Sequence, residues 1–426
     1  MRTVIGLCDC NNFYISCERV FNPALEGRPV GVLSNNDGCV IARSEELKRL
    51  GIPMGMPLFK IPQQQRRHII LRSSNYALYG DMSSRVTATL RQHCPEVEVY
   101  SVDESFLMWD GFTIGEIDER CRQLCETVQR NTGIPVSIGL STSRTLAKVA
   151  NHCAKKNAIY QGVCWLDPDS SAVEQVLTGL PVDELWGVSR RLADRLAVMG
   201  ITTAWQLRQA EPKYIRSRFS VVQEKLVWEL RGRSCIDTEM ATAKQNVMTS
   251  RSFGRLTDKR AEVREAIRMH AQRGAEKLRR QGSQAQGVLV FLKTNRHRQE
   301  LPQYHPSLVV PLVTPSNDTA VLLAAAQRGL AKIWKDGFLY MKAGVMMLDL
   351  VDANTRPDDL FNATSSAQTE RRQSLMATLD QLNQRMGRNT VSFGGVRKEA
   401  AWHLKSDYLS DHFTTRWDEL VEAKTD

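Results

Sequence analysis

An α+β architecture spread over several folding units is what this sequence predicts, and three observations carry the prediction. The chain has 426 residues, more than one hydrophobic core holds before it splits, at roughly 250. In its first half, short apolar runs of strand length alternate with longer helix-forming segments. Between residues 247 and 350 the order is strand, helix, strand, strand, helix, strand, which makes a module with two long helices on one sheet face.

The elements follow in chain order. Thr3 to Asp9, TVIGLCD, is an apolar run closed by Asn11 and Asn12, a buried strand that delivers Asp9 at its end. The polar, glycine-bearing segment after it holds a helix from about Ala42 to Leu50, stopped by Gly51 and Pro53, and reads as a small inserted subdomain. VEVYS and SFLMW, around residues 97–109, are two strands joined at Val102-Asp103-Glu104, a hairpin without a glycine. Pro135 to Leu140 is a third strand, and Ser141-Thr142-Ser143 caps the helix RTLAKVANHCAKK. From about Ser170 to Gly232 the chain is mainly helical, and LPVDELWGVSRRLADRLAVMGI reads as helix, turn, helix. The last module is expected as strands 247–256, 286–294, 307–313 and 343–350 with helices 261–281 and 319–335. Beyond it, Asp352 to about Ser374 is polar and linker-like, and aromatic residues return in the tail.

Composition narrows the function. A hydrophobic fraction of 42% and a charged fraction of 24% are ordinary for a folded globular chain. No apolar run approaches the ~20 residues that span a bilayer, and no signal-peptide core precedes Asp9, so a cytoplasmic protein without membrane contact is expected. In that compartment the ten scattered cysteines are expected as thiols. The net charge of +10 is uneven: residues 251–300 carry 13 Lys/Arg against 5 Asp/Glu. That block, with Arg268, Arg273, Lys277, Arg279, Arg280, Lys293, Arg296 and Arg298, reads as a nucleic-acid face or as a solvated helix face.

Asp9, Asp103 and Glu104 stand at the ends or turns of apolar strands. Such carboxylates repel one another unless cations neutralise them, as two magnesium ions with a triphosphate would. Solvated turn acids are the alternative on spacing alone.

The segments CDCNNFY at 8–14 and YSVDESF at 100–106 resemble the Y-family of DNA polymerases. SNNDGCVIARSEELK at 34–48, SSNYALYGDMSSRV at 73–86, LPVDELWGVSRRL at 180–192 and SRSFG at 250–254 are similar to its UmuC-type branch, the catalytic subunit of DNA polymerase V. The resemblance runs in family order from Arg2 to the C-terminus.

It implies a multidomain right-hand polymerase: α+β palm (1–20 and 75–168), small fingers (21–74), helical thumb with a helix-hairpin-helix (169–240) and α+β little finger (245–351). A linker (352–374) and a C-terminal partner-binding segment (375–426) complete it. The implied activity is error-prone translesion synthesis in the SOS response, a nucleotidyl transfer from dNTPs to a primer 3′-hydroxyl with two Mg2+ ions. Asp9, Asp103 and Glu104 would be catalytic and metal-binding, with Cys10 contributing its carbonyl. Tyr14 would be the steric gate against ribose, with Phe13 packing under the sugar. Lys155, Lys48 and Arg43 would contact the triphosphate, with Arg144 and Lys148 on the helix face of Lys155, and Asn35 and Asn36 as further fingers candidates. Gly187 and Ser189, in the turn of the helical hairpin, and Arg251, Lys293 and Arg296 would hold the DNA backbone. Leu360 and Phe361 resemble the end of a sliding-clamp motif. Implied partners are primer-template DNA, a UmuD′-like dimer, RecA and the sliding clamp. A non-catalytic DNA-binding scaffold at stalled forks is the rival reading.

Overall fold

The computed structural model describes residues 3–236, 244–353, 366–387, 390–394 and 405–421. They form two compact units, one within Met1–Thr238 together with Ser406–Asp426, the other within Glu239–Lys405.

In the first unit β1 (Val4–Cys10) leads through Asn11 and Asn12 into α1 (Phe13–Phe21). A small sheet follows, built from β2 (Val30–Leu33) and β3 (Val40–Arg43), the helices α2 (Glu45–Arg49) and α3 (Gln63–Arg66), and β4 (Ile70–Ser73). Its central strand β2 pairs antiparallel with β3 and parallel with β4. The helix expected from Ala42 therefore starts later: Ala42 and Arg43 are held in the ladder with β2, and Ser44 caps the helix by accepting from the Leu47 amide.

The chain continues through α4 (Tyr76–His93), β5 (Glu96–Val99), β6 (Glu104–Trp109), α5 (Ile114–Thr132), β7 (Val136–Ser141), α6 (Arg144–Lys156) and β8 (Val163–Trp165). The resulting five-stranded sheet has the order β5-β6-β1-β7-β8, so the first strand of the sequence is its centre. Side chains of α4 and α5, among them Leu78, Val86, Ile117 and Cys121, form the core on one face. On the other face, Ala147 of α6 packs with Ile5, Leu7 and Phe106. Gly139 in β7 explains how close α6 comes: a Cβ there would lie 2.0 Å from the Asn151 backbone nitrogen.

Five helices complete this part: α7 (Ser171–Thr178), α8 (Arg190–Val198), α9 (Ala204–Gln209), α10 (Pro212–Arg218) and α11 (Val221–Leu230). Glu229, fully buried, accepts from the amides of Thr145, Cys235 and Ile236 and so ties α11 to the start of α6. The first arm of the expected helix-turn-helix is only a 3-10 turn, Val182–Glu184, ended by extended backbone at Leu185 (φ −72°, ψ 139°). Residues 406–421 return to this unit and lie along β4 and the start of α4.

The second unit is a four-stranded antiparallel sheet, order β11-β10-β12-β9, from β9 (Val247–Thr257), β10 (Ser283–Thr294), β11 (Ser307–Ser316) and β12 (Tyr340–Leu348). A short β13 (Val351–Asp352) pairs with the start of β10. Helices α12 (Arg260–Arg280) and α13 (Thr319–Ile333) cover one face. α14 (Ser366–Arg385) departs from expectation, since the stretch read as linker to residue 374 is helical from Ser366. Ala, Gln, Glu, Arg, Leu and Met, all good helix formers, outweigh its polarity. The α14 side chain of Met376 is buried, and Asp380 takes both arms of Arg279 at 2.7 Å each.

All ten cysteines are free. Among the described residues no helix is long and apolar enough to cross a membrane.

Candidate active site

β1 and β6 run antiparallel with Asp9 opposite Glu104, at the point where the ladder ends. Beyond it the chain turns through residues 100–103 without a glycine, because Ser101 does the closing. Its hydroxyl accepts from the amides of Asp103 and Glu104 at 3.2 and 3.0 Å and donates to the Asp103 carboxylate at 2.5 Å. The Asp103 carbonyl accepts from the Cys10 amide at 2.9 Å. The turn thus pins Asp103 against the end of β1, beside the two register partners.

α6 supplies the counter-charges. Lys155 forms an ion pair with Asp9, and Lys148 donates to both oxygens of Glu104 at 2.8 and 2.9 Å. The Lys148 ammonium also lies over the rings of Tyr100 and Trp186, at 4.5 and 5.2 Å from their centroids. Asn151, buried on the same helix, donates to the carbonyls of Leu7 and Ser137 at 3.2 and 2.7 Å. It bolts α6 across β1 and β7, a job its sequence context does not betray. Burial pushes the Asp9 carboxyl up to about 6; Lys155 opposes that and Glu104 and Asp103 reinforce it.

The carboxylates do not form a ready cage. Among the described residues no group of three His, Cys, Asp or Glu side chains is arranged to hold a metal ion. The donor chemistry still suits a hard cation: a half-buried carboxylate with a raised pKa faces a second across one ladder rung and has a third alongside. Lys148 and Lys155 carry the neutralising charge here.

α1 begins two residues past β1, after Asn12 in a left-handed conformation, φ 46°. Phe13 is buried and Tyr14 half-buried; the Tyr14 ring stacks on Tyr79 with centroids 4.3 Å apart. Lys48 reaches this corner from α2, donating to Asn12 at 2.9 Å and to Glu45 at 2.6 Å. Arg43 does not: its guanidinium donates to the Ile52 carbonyl at 2.8 Å inside the small sheet. Asn35 and Asn36 lie in the 3-10 turn before β3. Arg144 pairs with Glu98 at 2.9 Å, away from Lys148 and Lys155 in role.

Gly187 adopts φ 83°, which suits glycine, and Ser189 caps α8 by accepting from the Leu192 amide. Trp186 beside them donates to the Tyr100 hydroxyl at 3.1 Å, so this turn abuts the carboxylate loop.

In the second unit the basic residues divide. Lys293 is exposed on the sheet face away from the helices, and Arg296 is exposed in the loop after β10. Arg251 shares its strand face with Thr249, whose hydroxyl donates to the His270 carbonyl in α12, so it belongs to the helix side. Arg268 and Arg279 bind the C-terminal region, at the Phe393 carbonyl and at Asp380. The basic block is therefore not one continuous face. Leu360 and Phe361 lie outside the described residues.

Residues 8–152 match the impB/mucB/samB family, 244–360 the C-terminal domain of that family, and 373–423 a domain of unknown function, DUF4113. The chain is 41% identical to Protein UmuC of Salmonella typhimurium over 425 residues, 99% of this chain and 100% of the relative. It is 29% identical to DNA polymerase IV of Moorella thermoacetica over 399 residues, 91% and 94% of the two chains. Among solved structures a Y-family DNA polymerase chimera of Dbh and Dpo4 is similar in fold, with a TM-score of 0.62 at 18% identity over 82% of this chain and 99% of that one.

Proposed function

The chain belongs to the impB/mucB/samB family, within the Y-family of DNA polymerases, and from that premise we propose how it works as an error-prone translesion DNA polymerase of the SOS response. The observation that carries the reading is the rung Asp9–Glu104 with Asp103 beside it, faced by Lys148 and Lys155 and flanked by Tyr14. The five-stranded sheet is the palm, the small three-stranded sheet the fingers, the helices α7–α11 the thumb and the second unit the little finger.

Asp9, Asp103 and Glu104 are the residues that would hold divalent magnesium, with the Cys10 carbonyl as a further oxygen donor. The metal, when bound, activates the primer hydroxyl and neutralises charge developing on the phosphates. Lys155 and Lys148, which pair with Asp9 and Glu104, would also be the cations that contact triphosphate oxygens. Lys48 adds a cation at the α1 corner. Tyr14 stands where a bulky ring excludes a ribose 2′-hydroxyl, with Phe13 beneath. The Gly187–Ser189 turn, Lys293 and Arg296 grip phosphates without reading bases. The chain works in the cytoplasm with a UmuD′-like dimer and RecA, and meets the sliding clamp through Leu360 and Phe361.

Magnesium-dependent primer extension on intact and abasic templates tests the reading, comparing the chain with Asp103→Ala, with and without UmuD′ and activated RecA. Extension by the native chain that Asp103→Ala loses is the expected result. A native chain that binds DNA yet extends no primer, even with its partners, would instead be a scaffold.

A further inference from the structure

Glu18 is a carboxylate in a place where carboxylates are expensive. It sits in α1 at 1% exposure, and burial raises its pKa. One of its oxygens nevertheless carries two hydrogen bonds. Oε1 accepts from the Tyr79 hydroxyl at 2.8 Å and from the Ser410 hydroxyl at 3.0 Å, and Oε2 faces Arg72 at 3.7 Å. Tyr79, itself 1% exposed, is held at its tip by that bond, and its ring lies against Tyr14 with an interplanar angle of 16°. Tyr76, from the first turn of α4, meets both rings edge-on at 6.4 and 6.5 Å. Asn75 joins the same construction from two sides. Its oxygen caps α4 at the Leu78 amide, while its amide donates to the Ser410 carbonyl and hydroxyl and to the Asp411 carbonyl.

Tyr14 is half-buried and close enough to Asp103 to feel its charge, and its ring can tilt only as far as its aromatic neighbours allow. What limits that tilt is the flat contact with Tyr79, and what limits Tyr79 is Glu18. We propose that Tyr79 and Glu18, closed from behind by Ser410 of the C-terminal segment, are positioning residues that set the angle of the Tyr14 ring and thereby the discrimination between deoxyribose and ribose. This rests on the reading of Tyr14 as the sugar gate, and extends it to residues that touch no substrate. Gate selectivity depends on sub-ångström clearance to a 2′-oxygen, so a backing ring that rocks is enough to open it. A second consequence is that the last described segment of the chain takes part in substrate choice at a site built by the first.

The test uses the full chain with its partner proteins and measures kcat/KM for a dNTP and the matching rNTP opposite an undamaged template base. Tyr79→Phe keeps the stacked ring and removes only the hydroxyl; it is expected to lower the dNTP-to-rNTP ratio about tenfold, the worth of one buried hydrogen bond to a charged group, mainly by raising rNTP insertion. Glu18→Gln, which retains an oxygen acceptor, should rescue the ratio, whereas Glu18→Leu should behave as Tyr79→Phe. Ser410→Ala should shift the ratio in the same direction by less. In a Tyr14→Ala background, where the ratio has already collapsed, Tyr79→Phe should add nothing, which distinguishes action through Tyr14 from general loosening. An unchanged ratio in Tyr79→Phe, or equal losses for both sugars, overturns the inference while leaving the polymerase reading standing. Should Glu18→Leu not fold, Tyr79→Phe decides alone. A native chain that inserts neither nucleotide, or a Tyr14→Ala chain with native selectivity, overturns the reading beneath it and the inference together.

Discussion

Asp9 and Glu104 are register partners across β1 and β6, yet each turns to a different lysine of α6, Asp9 to Lys155 and Glu104 to Lys148. The lysines are seven residues apart, two helical turns, so one rigid helix serves both carboxylates. The placement of that helix on the sheet therefore governs the electrostatics of the whole site.

Lys148→Met leaves Glu104 partly buried beside Asp9 with no cation on it. A cost of about 1–2 kcal/mol is expected, between the limits for exposed and buried pairs. Thermal melting without metal should register it. Added magnesium should recover part of the loss, as the metal takes over the missing charge.

Gly139→Ala places a methyl group where the Asn151 backbone nitrogen lies 2.0 Å from the ideal Cβ. The helix must move, at a cost of at least about 3 kcal/mol. Chemical denaturation should show that loss, and nucleotide insertion should fall further than stability alone explains, because Lys148 and Lys155 move with α6.

His270 gives the second unit a pH dependence. Burial, aided by Arg251, Lys342 and Lys277, lowers its pKa to about 4 from 6.5. The folded chain keeps the ring neutral while the unfolded chain protonates it, so stability is complete above pH 6.5 and falls as the pH drops towards 4. The loss approaches about 3 kcal/mol. His270→Gln should flatten that part of the unfolding-versus-pH profile, read by melting of the full chain between pH 4 and 8.

Lys293→Ala should weaken DNA binding to all sequences alike and reduce the slope of log affinity against log salt by about 1. Arg251→Ala should change that slope far less, since its side chain lies on the helix side of the sheet. Equal slopes for the two variants would place both residues on DNA.

Arg279→Ala removes a two-armed bond to Asp380 together with bonds to the Asn317 carbonyl and Thr319. α14 should detach first. Limited proteolysis should cut within residues 366–385 faster than in the native chain, and Asp380→Asn should act in the same direction more mildly.

Much of this was legible in the sequence. Period-two apolar runs and long helix-forming stretches set out the six elements of the second unit, with β9 expected over 247–256 and found at Val247–Thr257. Asp9 and Glu104 announce themselves as acids at the ends of apolar strands. Lys155 follows from the family resemblance, and helical spacing puts Lys148 on the same face. Other features stayed hidden for physical reasons. Arg251 looks like its basic neighbours until strand register assigns it a face. α14 is disguised by polar composition, although its residues favour helix. Glu18 and Ser410 meet across 392 positions, and nothing local to either residue encodes a partner so remote.

The return of residues 406–421 to the first unit also has a meaning in time. A ribosome that has made β1, α1 and α4 has not yet made Ser410, so nascent Glu18 lacks one of its donors and Asn75 lacks the carbonyls of Ser410 and Asp411. The rear of α1 and α4 is closed only by a segment made almost four hundred residues later. A message cut short before codon 406 would yield the first unit without the hydroxyl of Ser410 on Glu18 and without the carbonyls that hold Asn75.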